Sequence, residues 1–184
     1  MPPPGFAADA LEDAVLQFRK SKSLAERALA QVADADFFRT LDPDSNSVAL
    51  VVKHVAGNMR SRWRDFLTTD GEKPDRHRDR EFEVEPSDTR ESLTAAWEAG
   101  WRLLFDALTP LTPEDLEREV RIRGESHTAW QAIQRQLSHY SYHVGQIVLL
   151  AKHFAGSKWR SLSIPKGRSS DFEVARDGSP YRTR

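Results

Sequence analysis

Residues 127–155, with the sequence HTAWQAIQRQLSHYSYHVGQIVLLAKHFA, decide the fold class. Apolar and aromatic side chains recur along this stretch at alternating steps of three and four, as they do on one face of an α-helix. They are Trp130, Ile133, Leu137, Tyr140, Val144, Ile147, Ala151 and Phe154. Gly156 follows the last of them and is a typical helix stop. The pattern predicts one long amphipathic helix over residues 127–155.

Three earlier segments also show helical periodicity and predict helices near residues 8–33, 47–68 and 88–108. Turn residues precede the second helix. A capping box of Asp88 with Glu91 is expected to open the third helix, which stops before Pro110. The second connection is the longest of the three. The sequence therefore predicts an all-α protein, a four-helix bundle with a long crossover between helices two and three.

The remaining segments indicate how the domain is organised. Residues 68–86 are polar and rich in charge, which is typical of a long connection. Alternating residues at 118–123 predict a short strand or hairpin, and residues 112–115 predict the start of a one-turn helix. After Ser157 we expect an irregular extension over the bundle. We therefore predict one domain over residues 1–170 and a loose C-terminal tail over residues 171–184.

Composition excludes several classes of function. The 184-residue chain is 39% hydrophobic, which is enough for one domain to fold without a metal or a disulfide. It has no cysteine, so disulfides, thiolate nucleophiles and cysteine-ligated metal sites are excluded. The N-terminus lacks the pattern of a signal peptide, and no apolar run is long enough to span a membrane. We therefore expect a soluble, cytoplasmic protein with no membrane partner.

The charge pattern gives little sign of nucleic-acid binding. The formal net charge is −1, and acidic and basic residues are interspersed along the chain. Only the segment from Lys158 to Arg184 is clearly basic, a feature more typical of a solvated terminus than of a nucleic-acid site. Nucleic acid is therefore not an expected partner.

His139 and His143 are the main candidates for chemistry, because residues four apart lie on one face of a helix. Two imidazoles in this arrangement can share a metal ion, and His54 on another predicted helix is the best third ligand. The zinc-protease motif H-E-x-x-H is absent, since Tyr140 follows the first histidine of the pair. No histidine has a glutamate three residues before it, which disfavours a ferritin-like di-iron site. Core packing of the pair remains the alternative.

Four stretches carry a resemblance to a known family. They are VKHVAGNMRSRW at 52–63, DFL with DGEK at 65–73, RQLSHY with HVGQI at 135–147, and WRSLSIP at 159–165. Over about residues 10–167 the chain resembles the DinB/YfiT-like superfamily of metalloenzymes, and within it the branch of uncharacterised bacterial DinB-like proteins.

The resemblance implies a left-handed, up-down-down-up four-helix bundle that is often a homodimer. It also implies a metal site formed by one histidine of helix two and a His-x-x-x-His of helix four. By motif position these ligands are His54, His139 and His143. Superfamily members with known activity include thiol-dependent S-transferases and mycothiol-dependent isomerases, so a low-molecular-weight thiol is a candidate cofactor.

Two functions remain open at this stage. The first is a metal-dependent enzyme, a hydrolase or thiol-dependent transferase, in which a divalent ion activates water or a thiol toward a small molecule. Imidazole ligands suit zinc, nickel, iron or manganese alike. The second is a non-catalytic helical-bundle dimer that acts as a binding or stress-related interaction protein.

The other polar residues near the motifs have secondary roles in this interpretation. Gln136, Tyr140 and Tyr142 are candidate outer partners of the ligands, although Tyr140 also belongs to the apolar face. The charged and polar residues that follow His54 along its helix are expected to form surface pairs within that helix. They are Asn58, Arg60, Arg62 and Asp65. The sequence does not identify a general base.

Overall fold

Five α-helices make up most of the described part of the chain. The computed structural model of the protein describes residues 5–173 and 182–183, with the side chains of residues 5–170. The helices are α1 (Phe6–Leu29), α2 (Asp34–Phe37), α3 (Val48–Trp63), α4 (Arg90–Leu108) and α5 (Ala129–Ala155). Short 3-10 helices cover Asp79–Phe82, Pro113–Glu117, Gly156–Lys158 and Ser169–Asp171. The predicted all-α class is therefore confirmed.

Two antiparallel strand pairs accompany the helices. Strand β1 (Glu119–Ile122) pairs with β2 (Glu125–Thr128), which confirms the hairpin predicted near residues 118–123. Strand β3 (Phe172–Glu173) pairs with β4 (Arg182–Thr183). Of the tail predicted to be loose, residues 174–181 and 184 lie outside the described residues. Within the described part of the chain, no helix combines the length and apolarity needed to cross a membrane.

Side-chain caps define where the helices begin. Ser47 caps α3 by accepting the Leu50 N–H, and Thr128 caps α5 in a capping box with Gln131. The expected capping box of Asp88 with Glu91 is wrong, because Thr89 and Ser92 form the box that opens α4. The Asp88 carboxylate is instead bound to the Lys53 ammonium, 2.7 Å away, and to the Glu85 backbone N–H.

Helix α3 is shorter than predicted, because it ends at Trp63 instead of residue 68. Arg64 is extended and Asp65 has a φ of 51°, so the chain leaves the helix at this point. Phe66 and Leu67 continue the apolar pattern of the sequence, although they lie beyond the end of the helix. They pack against a small separate cluster formed by the hairpin and the start of α5, with buried members Val120, Ile122, Ala129 and Ala132.

The main core lies between the four long helices. Helix α3 packs against α4 and α5, and α1 packs against α5 and, less extensively, α4. Phe18 of α1 is fully buried and contacts the rings of Trp63, Trp101 and Tyr140. Burial of one such side chain contributes roughly 1.5–3 kcal/mol to stability. The aromatic cluster therefore fixes α3 and α5 side by side, which positions the residues described below.

Helices α3 and α4 approach closely at Gly100. A Cβ atom at this position would lie 2.9 Å from Met59 Cε and 3.1 Å from Met59 Cβ. Such distances are shorter than normal carbon contacts, so the helix interface depends on the missing side chain.

The connection between α3 and α4, residues 64–89, folds back over α3 and is tied to the β1–β2 hairpin. The Gly71 carbonyl accepts hydrogen bonds from Ser61 and Arg62 of α3, and its N–H donates to the Arg121 carbonyl of β1. The Asp70 carboxylate accepts the N–H groups of Arg123 and Gly124 in the hairpin turn. The long connection was predicted, and these bonds give it a defined position beside α3 and α5.

Candidate metal centre

Three histidines from two helices converge at one point. His54 lies on α3, and His139 and His143 lie one turn apart on α5. His139 Nε2 is 3.3 Å from His54 Nε2 and 3.2 Å from His143 Nε2. Each of these residues, here called the histidine trio, offers one ligand atom, and the three atoms lie within 4.8 Å of one another. The structure therefore brings together the three residues that the sequence named.

The nitrogen spacing fits a shared metal ion. Metal–nitrogen bonds of about 2.0–2.1 Å at tetrahedral angles place two ligand nitrogens about 3.3 Å apart. The two contacts of His139 Nε2, at 3.2 and 3.3 Å, match this value. Without a cation, a single proton on His139 Nε2 could be donated to only one of its two neighbours at a time. One cation would satisfy all three nitrogens.

Glu81 orients the first ligand. Its Oε2 atom lies 2.9 Å from His54 Nδ1, and both side chains are buried. An ionised carboxylate can only accept, so His54 Nδ1 carries a proton, and His54 Nε2 is the nitrogen that faces the trio. Phe82 stacks on the same imidazole, with ring centroids 4.6 Å apart. The α3–α4 connection therefore supplies two adjacent residues that fix the ring of His54.

Arg76 keeps the Glu81 carboxylate ionised. Its Nε and Nη2 atoms donate to the two carboxylate oxygens of Glu81 at 2.8 and 2.9 Å. Burial alone would raise the pKa of Glu81, but the bonds with Arg76 and His54 outweigh burial and lower that pKa. Glu81 is thus a charged acceptor for His54 at neutral pH. Sequence reasoning missed this residue.

The other two ligands differ in their outer contacts. His143 Nδ1 lies 2.7 Å from Gln146 Oε1, an acceptor that directs the lone pair of His143 Nε2 toward the trio. His139 Nδ1 is buried and has no hydrogen-bond partner among the described residues. Of the outer partners suggested by sequence, Gln136 and Tyr142 make no side-chain hydrogen bond to the trio. Gln146 takes that role.

The α5 histidines are neutral at physiological pH. Burial lowers the pKa of His139 to about 3, and the neighbouring His143 and His54 add to the effect. Burial also lowers the pKa of His143 to about 4, despite an opposing contribution from its bond with Gln146. Neutral imidazole is the form that binds metal, so no proton has to be displaced from these rings.

Gly57 provides the space that Glu81 occupies. A Cβ atom at Gly57 would overlap the Glu81 carboxylate, with the nearest contacts at Oε1, Cδ and Cγ. Gly57 lies on α3 three residues after His54 and therefore on the same face of the helix. The sequence KHVAG of α3 thus contains both His54 and the glycine that leaves room for the Glu81 side chain to reach it.

A cleft opens beside the trio. It has a volume of about 330 Å³, and His54 and His139 line it. A larger cavity of about 520 Å³ lies between α3, α4 and the connection. Glu81 lines the larger cavity, whereas none of the trio does. Two of the three histidines therefore border the smaller cleft, beside the candidate metal centre.

The remaining residues singled out from the sequence have mainly structural roles. Tyr140 is buried, donates to Asn58 Oδ1 at 2.9 Å and accepts from Trp63 Nε1 at 3.0 Å. Arg60 pairs at the surface with Asp75 of the α3–α4 connection, so the expected pair within the helix is not formed. The expectation of a surface position is wrong for Asn58 and Arg62, which are both buried. Arg62 lies beneath the connection and bonds Glu72.

Comparison with known proteins identifies one family. A family described as a protein of unknown function, DUF1572, matches residues 5–168. No curated protein and no solved structure matches the chain. The matched range contains the histidine trio together with Glu81, Arg76 and Gln146. Because the match extends over most of the sequence, the chain belongs to the DUF1572 family of proteins of unknown function.

Proposed function

We propose that this protein is a metal-dependent enzyme that acts on a small molecule at the histidine trio. His54, His139 and His143 would hold one divalent ion, and the reaction would be hydrolysis or a group transfer that uses a thiol. Three protein ligands leave a coordination position open, which is the arrangement of catalytic rather than structural sites. The main support for the proposal is the position of the three Nε2 atoms, because His139 Nε2 lies 3.3 Å from that of His54 and 3.2 Å from that of His143.

The bound ion would act as a Lewis acid and lower the pKa of a water molecule or thiol that reaches it. The protein's own groups prepare the site for this role. Glu81 fixes the His54 tautomer, Gln146 orients His143, and burial keeps the α5 histidines neutral. The neighbouring cleft gives a small molecule access to the same point.

The donor set agrees with several ions. All three ligands are imidazoles, which bind zinc, nickel, iron or manganese. A low-molecular-weight thiol is proposed as co-substrate only from the resemblance to thiol-dependent transferases. Mass spectrometry of metals that co-purify with the protein, followed by activity assays with and without added thiol, addresses both points.

We also propose that the four long helices form a DinB-like bundle and that the protein is a homodimer. The packing of α3 against α4 and α5, and of α1 against α5, supports the bundle. Leu149 and Tyr142 lie seven residues apart on α5, and their exposures of 63% and 54% provide apolar area for a second copy. Light scattering measures the mass in solution, and a monomer at all concentrations would rule out the dimer.

Metal analysis of untagged protein tests the main proposal. We expect about one equivalent of metal in the wild type, and a loss of most of it in the His54→Ala and His143→Ala variants. His153→Ala is the matched control, because His153 is an exposed histidine of α5 outside the trio. Equal and substoichiometric metal in all four proteins would reject the metal-dependent enzyme and leave a non-catalytic interaction protein.

A further inference from the structure

We infer that the cleft beside the histidine trio binds a small anionic substrate through a carboxylate or phosphate group. This inference deepens the proposed function, on which it rests, by naming the substrate class of the same site. The evidence is the side-chain charge of the cleft wall. Five arginines line the cleft, and no carboxylate does; the arginines are Arg62, Arg76, Arg78, Arg123 and Arg135.

The arginines are only partly neutralised by carboxylates behind the wall. Glu72 pairs with Arg62, Arg76 and Arg123, and Glu81 pairs with Arg76. Two carboxylates set against five guanidinium groups leave an excess of three positive charges. A metal ion held by neutral imidazoles would add further positive charge at one end of the cleft.

Two of the arginines remain available to a ligand. The side chains of Arg78 and Arg135 are exposed and form no hydrogen bond or ion pair within the described part of the chain. Arg78 comes from the α3–α4 connection and Arg135 from α5, so the two belong to different elements around the cleft. A guanidinium group presents paired N–H donors that match the oxygens of a carboxylate or phosphate. An anion in the cleft would therefore meet donors from more than one element.

The larger cavity differs from the cleft because carboxylates form part of its wall. Carboxylates line that cavity together with its cations. Lys53 pairs there with Asp88 at 2.7 Å, and both Arg60 and Arg64 pair with Asp75 at 2.6 Å. Five of the six lysines and arginines that line the larger cavity pair with a carboxylate of the same wall, and Lys73 is the exception. The cleft beside the trio lacks such matching.

The cleft also has a suitable size and position. A volume of about 330 Å³ lies at the lower end of the range for small-molecule sites, about 300–1,000 Å³. The arginines and two of the histidines share this one space, so an anionic group held by the arginines would place the rest of the molecule near the trio. Positive potential in a concave site also raises the local concentration of anions.

Calorimetric titration at low salt tests the inference, with inorganic phosphate and succinate as probes. The cleft variant is Arg78→Gln combined with Arg135→Gln, two exposed positions that no ion pair needs. The control variant is Arg102→Gln combined with Lys152→Gln, which removes the same charge from exposed positions outside the cleft. We expect the Kd of the better probe to rise about tenfold in the cleft variant and less than twofold in the control.

The probe that binds more tightly distinguishes phosphate from carboxylate recognition. Equal Kd values in the wild type and the cleft variant would overturn the inference, as would a lack of binding of both probes to the wild type. Metal content measured on the same samples separates the two proposals. Arginine-dependent binding by protein without metal would keep the anion site and reject the metal-dependent enzyme. Stoichiometric metal together with probe binding that does not depend on the arginines would keep the metal-dependent enzyme and reject the anion site.

Discussion

The Glu81 carboxylate lies 2.9 Å from Nδ1 of His54, a residue 27 positions earlier in the chain. Arg76 holds the same carboxylate from its other side, so the three residues form a buried row that ends at the trio. A carboxylate behind a ligating histidine fixes its tautomer and makes the ring a stronger donor. In the proposed metal site, the affinity of the trio would therefore depend on a residue that is not itself a ligand.

Glu81→Gln should weaken metal binding without removing a ligand. Glutamine keeps the size of the side chain but loses the charge that His54 and Arg76 both contact. Loss of an outer partner of this kind lowers metal affinity by about 10–100-fold. Competition with a chromophoric chelator measures the change. The control is Glu83→Gln, an exposed glutamate of the same connection, and an equal affinity in both variants would contradict the role of Glu81.

Gly57→Ala should also weaken metal binding, because it displaces the Glu81 side chain without changing its charge. The added methyl group would overlap Glu81 and push its carboxylate away from His54. Gly145→Ala is a matched control, because Gly145 lies on α5 and its Cβ would meet no atom within 4 Å. Both changes improve helix propensity by roughly 0.5–1 kcal/mol. The two variants therefore differ only in the displacement of Glu81, which Gly57→Ala alone produces. We expect chelator competition to show weaker metal binding in Gly57→Ala alone.

Gly100→Ala should destabilise the fold. The new Cβ would lie 3.1 Å from Met59 Cβ, an atom that side-chain rotation cannot move. Overpacking of this kind costs about 1–3 kcal/mol, more than the gain in helix propensity. Urea unfolding gives the free energy of unfolding, with Gly145→Ala again as the control that should be neutral or stabilising. Stabilisation by Gly100→Ala would show that α3 and α4 can separate at no cost.

Asp70→Asn should destabilise the protein in a pH-dependent way. Burial raises the pKa of Asp70, but backbone N–H groups of Glu72, Gly124 and Arg123 outweigh burial and lower it. A lowered pKa contributes stability that is present above the ordinary aspartate value of about 3.9 and is lost as pH falls through the folded-state value. We expect a loss of about 1 kcal/mol at neutral pH, since Asp70 is partly exposed and solvent screens its charge.

Urea unfolding of the wild type and Asp70→Asn between neutral pH and about pH 3 measures this difference. It should shrink as pH falls below the ordinary aspartate value, because protonation of the wild-type carboxyl removes the charge that distinguishes it from asparagine. Asp106→Asn is the control, since Asp106 is an exposed residue of α4. A difference that does not vary with pH would show that the charge of Asp70 is irrelevant to stability.

Helix α5 and its His139–His143 pair could be predicted from the sequence because both depend on local periodicity. The apolar steps that define α5 place Ile133, Tyr140 and Ile147 in the core, where each is fully buried. The same 3.6-residue geometry places His139 and His143 on one face. These features require no knowledge of distant contacts, so the sequence pattern was sufficient for them. His54 lies 85 positions from His139, and it was assigned to the site from its motif position in the family resemblance.

The end of α3 and the position of Glu81 could not be predicted in this way. Phe66 and Leu67 extend the apolar pattern, but they pack against the hairpin cluster after the helix has ended. Glu81 lies in a connection without periodicity, and its partner His54 is on another element. The sequence shows that the connection is rich in charged residues. It does not show which of them form pairs, because the pairing depends on how the segment folds back over α3.

Asp70 and Glu72 join two walls of the cleft that are far apart in the sequence. Asp70 holds the N–H groups of Arg123 and Gly124 in the hairpin turn, and Glu72 contacts the Arg123 side chain. Lifting either segment away from the other on this side of the cleft would break these bonds. A bulky molecule would have to break these bonds together before it entered, so the protein should select compact molecules by size as well as by charge.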